Sequence, residues 1–193
     1  MKCLSAKLAV LAAGFFACVT LAGHTQDAKP TPTGDSLTGA VVSTDAATKT
    51  ITVKSKEVEY AIKYTDTTKF ETIKTGSSSD LTDGVEAKVQ GKLAEDQSSI
   101  EASMIEVLKA STKIAPMVRA SENFVVGKLT KDGDKWVVVV GEKKIAMTGG
   151  DSAKIRIRAD GTVDDATAGA SSWIVLKHGA SEPTATRVQI QGQ

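Results

Sequence analysis

Lys154-Ile155-Arg156-Ile157-Arg158 is the stretch of this chain with the clearest chemical potential. In an extended strand, alternate side chains share a face, so the three cations gather on one side and the two isoleucines on the other. Cations crowded on one face repel unless an anion lies opposite. A phosphate, a sulfated glycan or a nucleic-acid backbone is the ligand such a face would take. Trp173 and Lys177 fall on a later strand and extend this candidate anion site, which comprises Lys154, Arg156, Arg158, Trp173 and Lys177. The plainer reading is a solvated face balanced by Asp151, Asp160, Asp164 and Asp165.

Other chemistry is sparse. His24 and His178 are far apart and both fall in loops, and no His-Glu-x-x-His or Cys-x-x-Cys spacing occurs, so no metal site is expected. Asp132 and Asp134 begin like a calcium loop, but Trp136 stands where an oxygen ligand is required. No Gly-x-Ser-x-Gly elbow or phosphate-binding loop is present, and Gly91-Lys92 lacks the upstream glycine. Glu57 with Glu59, or Asp164 with Asp165, supply paired acids on turns and exposed strands, where such pairs solubilise. Acid–base catalysis needs tuned, partly buried groups, so a hydrolase would require a buried carboxylate pair in a cleft. The expectation is a non-enzyme with no cofactor. Of the aromatic residues, Trp136, one step from a tight turn, is the best candidate for an exposed stacking platform; packing at a core or rim is the alternative.

The elements that must position these residues occur twice. Gly84-Val85-Glu86-Ala87-Lys88-Val89-Gln90 closes with Ala102-Ser103-Met104-Ile105-Glu106-Val107, and Gly169-Ala170-Ser171-Ser172-Trp173-Ile174-Val175 closes with Ala185-Thr186-Arg187-Val188-Gln189-Ile190. Each half opens with alternating strands around a glycine, Gly39 or Gly127. Lys69 to Ile73 and Lys154 to Arg158 read as matching short strands, Ser77 to Leu81 as a serine-capped turn, and Lys131-Asp132-Gly133-Asp134 as a tight turn. Two all-β domains are expected, 37–110 and 122–191, joined by a linker at 111–121 that contains Pro116. Five or six short strands in each suit a small closed barrel of the OB type; a pair of open sandwiches is the alternative.

Leu37-Thr38-Gly39-Ala40-Val41-Val42 followed by Thr50-Ile51-Thr52-Val53 resembles the opening of an OB-like domain of unknown function, found in exported bacterial proteins and often in tandem. Leu81-Thr82-Asp83-Gly84, Val85-Glu86-Ala87-Lys88-Val89-Gln90-Gly91 and the Ala102–Val107 strand resemble its later signature. The second half is similar at Gly169 and Ala185–Ile190 but has no Leu-x-x-Gly before Gly169. The resemblance implies a fold and an exported location. It brings no catalytic or binding residue with it.

Compartment is read from the first residues. Lys2 and Lys7 precede an uncharged apolar run from Leu8 to Leu21, with Ala22 and Gly23 behind it: the layout of a secretory signal peptide over 1–23, followed by a polar lead-in at 24–36. The run is short of the ~20 apolar residues that span a bilayer. Cys18 after Ala17 partly fits a lipoprotein signal, and a lipid there would tether the protein to a membrane, but Phe15 fits poorly. Both cysteines, Cys3 and Cys18, lie in this segment, so a processed chain would hold no disulfide. Its net charge near −1 gives no general electrostatic case for nucleic acid. The halves differ, −3 over 36–111 and +1 over 122–193. These observations lead to an expected binding or assembly module of the bacterial cell envelope, periplasmic or extracellular, whose partner is a protein or an anionic glycan. A polyanion or single-stranded nucleic-acid binder using the basic strand is the alternative.

Overall fold

The computed structural model describes residues 30–111 and 113–192. The expected signal segment and the start of the lead-in lie outside them. The described chain is all-β. Its first half contains β1 (Ser36–Asp45), β2 (Thr50–Ser55), β3 (Val58–Lys63), β4 (Lys69–Thr75), a 3-10 turn at Ser78–Asp80, β5 (Glu86–Leu93) and β6 (Ser99–Leu108). Its second half contains β7 (Met117–Arg119), a 3-10 turn at Ala120–Glu122, β8 (Phe124–Asp132), β9 (Lys135–Val140), β10 (Lys143–Thr148), β11 (Lys154–Asp160), a 3-10 turn at Val163–Asp165, β12 (Ser171–Leu176) and β13 (Ala185–Gln191). β7 lies inside the expected linker: Met117–Arg119 pair with Phe124–Val126 of β8, and Ala120 and Ser121 follow in the 3-10 turn.

Local chemistry explains the elements. Period-two alternation buries Ile51, Val53 and Ile62 completely and leaves their neighbours partly or fully exposed. Gly133 and Gly141 take φ of +64° and +62° in the tight turns that join β8 to β9 and β9 to β10, a conformation open to glycine at no steric cost. The two turns that follow β4 and β11 are built alike. The Asp80 carboxylate accepts from the Ser77 N–H at 3.0 Å, and the Asp165 carboxylate from the Thr162 N–H at 2.8 Å.

Pairing then builds one closed five-stranded barrel and a second five-stranded assembly of the same strand order that closes less completely. β8, β9 and β10 form a meander; β5 pairs antiparallel with β8 and β6 antiparallel with β5. β6 returns to β10 in parallel over Ala146↔Ser99 to Thr148↔Glu101, which closes a five-stranded barrel. β1, β2 and β3 form the corresponding meander, with β12 on β1 and β13 on β12. Here the return to β3 is a single bridge, Lys63↔Thr184. β4 and β11 join the two assemblies. β4 runs parallel to β13, β11 runs parallel to β6, and the two strands pair antiparallel with each other.

Each barrel therefore takes three strands from one half of the chain and two from the other. The repeated patterns suggested segments 37–110 and 122–191 each closing on itself; the cores are instead shared. One unites Leu37, Val41, Ile51, Val53 and Ile62 with Ala166, Ala170, Ile174, Ala185, Val188 and Ile190. The other unites Ala87, Val89, Ile100, Ala102 and Ile105 with Val125, Leu129, Val138, Ile145 and Met147. The physical reason lies at β4 and β11. Their mutual pairing carries the chain straight on past its own meander, so the β5–β6 and β12–β13 hairpins fall onto the opposite one.

Two glycines make the meanders possible. A Cβ on Gly39 would lie 2.4 Å from the Lys54 carbonyl oxygen, and one on Gly127 would lie 2.3 Å from that of Val139. Each first strand thus crosses its neighbour closer than any side chain permits.

Candidate functional site

The predicted anion site does not assemble as one patch. Strand alternation holds, with Lys154, Arg156 and Arg158 on one face of β11, but their surroundings differ sharply. Lys154 is exposed, Arg156 half-buried and Arg158 buried. Arg158 is matched by acid: its Nη2 lies 2.5 Å from Glu106 Oε1 on β6, and its Nε lies 3.9 Å from Glu71 Oε2 on β4. The first is a charge contact whose angles do not make a hydrogen bond, and Arg158 Nε has no hydrogen-bond partner among the described residues. Trp173 is exposed on β12, in register with Gln189 of β13 and Thr38 of β1. Two strands separate it from β11, so the ring stands three strand spacings away, roughly 14 Å. Lys177 follows β12, and its backbone N–H donates to the Thr184 carbonyl.

Sequence reading missed the acids that neutralise Arg158. Glu71 is completely buried and Glu106 nearly so. Glu71 Oε2 accepts from the Gln189 amide at 2.8 Å, and its Oε1 lies 3.9 Å from the Arg187 guanidinium. A hydrolase would have required a buried carboxylate pair in a cleft. A general acid or base must reach the substrate's proton, and these two face a guanidinium behind protein on every side. The cluster joins four strands: β4, β11 and β6 supply one member each and β13 supplies two, Gln189 and Arg187. Whether the face that carries Glu71 and Glu106 is covered depends on strands distant in sequence, and no local signal says so.

Two smaller points concern other flagged residues. Trp136 is half-buried against the second core, and Lys131 Nζ sits 5.4 Å above its ring, occupying a face that a base would need. Asp160 accepts from the backbone N–H and the hydroxyl of Ser111, at 2.8 and 2.9 Å, and these bonds hold its carboxyl below the usual range. No three His, Asp or Glu side chains gather around a common point among the described residues.

The first five-stranded assembly has an open seam. Aligning the parallel pairs Phe70↔Val188 and Ile155↔Ile105 sets Pro183 where the second barrel has Ile100. Ile100 continues the β6–β10 ladder. Proline has no N–H, so the corresponding ladder stops. One link survives: the Lys63 N–H donates to the Pro183 carbonyl at 2.8 Å. That bond fixes which way β3 faces. Backbone groups two residues apart point the same way, so the N–H and C=O of Ala61 and Glu59 also turn to the seam. Beside them lies a groove of about 260 Å³ lined by Pro30, Thr31, Ala61, Lys63, Glu182 and Pro183, among others. Val58, at the start of the same edge, is 37% exposed.

No family model, no curated protein and no solved structure matches the chain.

Proposed function

We propose that this protein is an exported, non-catalytic binding or assembly module of the bacterial cell envelope, built from two OB-like barrels, and that it holds an extended segment of a partner protein along β3. Several observations support this reading. Residues 1–23 have the layout of an export signal. Each meander is completed by a hairpin from the other half of the chain, whose last strand lies parallel to the meander's third strand, the strand arrangement of an OB barrel. The observation that carries the binding role is the seam. An edge strand with unpaired backbone groups beside a groove is a template for a further strand, and main-chain bonds there supply affinity without a deep pocket. A polyanion role through β11 is less favoured, because Glu106 and Glu71 already compensate Arg158.

The test uses Ala61→Pro, which removes a seam-facing N–H and leaves the bonds to β2 in place. A photo-crosslinking residue at Val58 in the exported protein identifies the partner in envelope extract, and the affinity of the purified pair is then measured. The expected outcome is a loss of about tenfold in Ala61→Pro, the scale of one or two main-chain bonds, with no change for a substitution on exposed Lys143. Full affinity in a folded Ala61→Pro protein would refute the assignment.

A further inference from the structure

Arg156 differs from Arg158 in one decisive respect. It is half-buried, yet it forms no ion pair with any described residue, whereas its neighbour two positions on is enclosed by acids. Register defines its surroundings. Arg156 stands opposite Thr75 at the end of β4 on one flank and opposite Glu106 of β6 on the other, where the Glu106 carboxylate is engaged by Arg158; Gln191 of β13 stands opposite Ile73 on the far side of β4. Between them is a depression of about 100 Å³ lined by Ile73, Lys74, Thr75, Arg156, Gln191 and Gly192. The polar residues of this lining are an arginine, a lysine, a threonine and a glutamine, with no acid among them. The volume is that of about three waters, the scale of one tetrahedral oxyanion.

The opposite half of the molecule supplies an internal comparison. Ile73 and Arg158 pair with each other at matching positions, so the two halves are related by a pseudo-twofold axis through that pair. The Gly192 N–H donates to the Ile73 carbonyl at 2.9 Å, just as the Lys109 N–H donates to that of Arg158 at 2.8 Å. Under this relation Thr75 corresponds to Asp160 and Arg156 to Glu71. The Asp160 side is closed by its own chemistry, because Ser111 donates twice to the Asp160 carboxylate. On the Arg156 side the carboxylate is replaced by a hydroxyl and the acid beside it by a guanidinium, and the space stands open. The backbone that frames it is pinned on both flanks, by the Gly192–Ile73 bond and by the Gly76 N–H to the Ile155 carbonyl at 2.9 Å.

The geometry points to a binding site for a single phosphate or sulfate group, free or as the monoester of a larger ligand, with Arg156 as the principal donor and Lys74, Thr75 and Gln191 completing the shell. A guanidinium supplies paired N–H donors to two oxygens of such a group, and Lys74 adds charge from the rim. The site uses one cation of the basic strand and excludes Arg158, Trp173 and Lys177.

Inorganic phosphate, inorganic sulfate and the 6-phosphate and 6-sulfate of glucose, each titrated into the full chain at constant ionic strength, test the assignment. Backbone amide NMR is the readout. Saturable shifts are expected at Thr75, Arg156 and Gly192, and the ratio between phosphate and sulfate arms identifies the preferred ester. Arg156→Gln should weaken binding by about tenfold or more, and Lys74→Gln, on an exposed side chain, should weaken it by severalfold. Lys154→Gln, on the same strand but outside the depression, should change nothing. Shifts spread over all surface lysines, no saturation by either anion, or undiminished affinity in both Arg156→Gln and Lys74→Gln would overturn the site.

Discussion

Arg158 shows how one side chain can be read correctly for direction and wrongly for surroundings. Its position in an alternating strand put it on the same face as Lys154 and Arg156, and there it lies. Whether that face meets water depends on strands distant in sequence. Glu71 and Glu106 reach it from β4 and β6, which flank β11 on either side. Removing one partner of a buried charge cluster leaves the rest uncompensated, which costs more than the cluster contributes as a whole. Arg158→Met should therefore destabilise the protein by roughly 3–5 kcal/mol, because two buried carboxylates lose their counter-ion. Adding Glu106→Gln and Glu71→Gln to Arg158→Met should recover most of that loss. Urea denaturation of the single and triple variants measures both numbers. A single variant within about 0.5 kcal/mol of the parent, the range of ordinary surface substitutions, would show that the cluster is solvated.

Strands and turns were legible because their causes are local. Period-two alternation, Gly133 in its tight turn and the Ser77 cap each act within a few residues. The short strands at Lys69 and Lys154 were legible for the same reason, although their pairing with each other was not. β7 was not legible, since three residues after Pro116 carry too little pattern to stand out. The open seam depends on a contrast that only the structure displays: Pro183 falls where the other barrel has Ile100. A prediction belongs to this contrast. The Ala61 amide, turned to the seam, should exchange with solvent far faster than the Ala146 amide, which donates to the Ser98 carbonyl at 2.9 Å. Pro183→Ile supplies an N–H that can reach the Ala61 carbonyl and extends the ladder by one step. It should slow exchange at Ala61 by about tenfold, since a closed ladder opens only by local unfolding. It should also weaken any partner strand that uses the same edge. Unchanged exchange at Ala61 would mean that the proline is not what holds the seam apart.

At the scale of the molecule, the repeat visible in the sequence describes its strands but not their partnership. Both halves carry the same strand pattern, so a β5–β6 hairpin buries the same faces whether it closes on β1–β3 or on β8–β10, and alternation cannot choose between them. The choice is made at β4 and β11, whose antiparallel pairing sends each hairpin across. Neither core is then complete without both halves, and the connection at 113–116 is not what holds them together. A protease site inserted after Ala115, in an exposed stretch outside every strand, tests this directly. After cleavage the two fragments should stay together through gel filtration in native buffer and should unfold in a single transition, separating only in denaturant. Two halves that each closed on themselves would part on cleavage into two folded species with their own transitions. Exchange of hairpins also gives the chain a concentration-dependent alternative, since a hairpin can complete the meander of a second copy as well as its own. Refolding at high protein concentration should accordingly trap dimers that dilution alone does not quickly resolve, and their absence across a hundredfold range of refolding concentration would show that the β4–β11 pairing forms before either hairpin can wander.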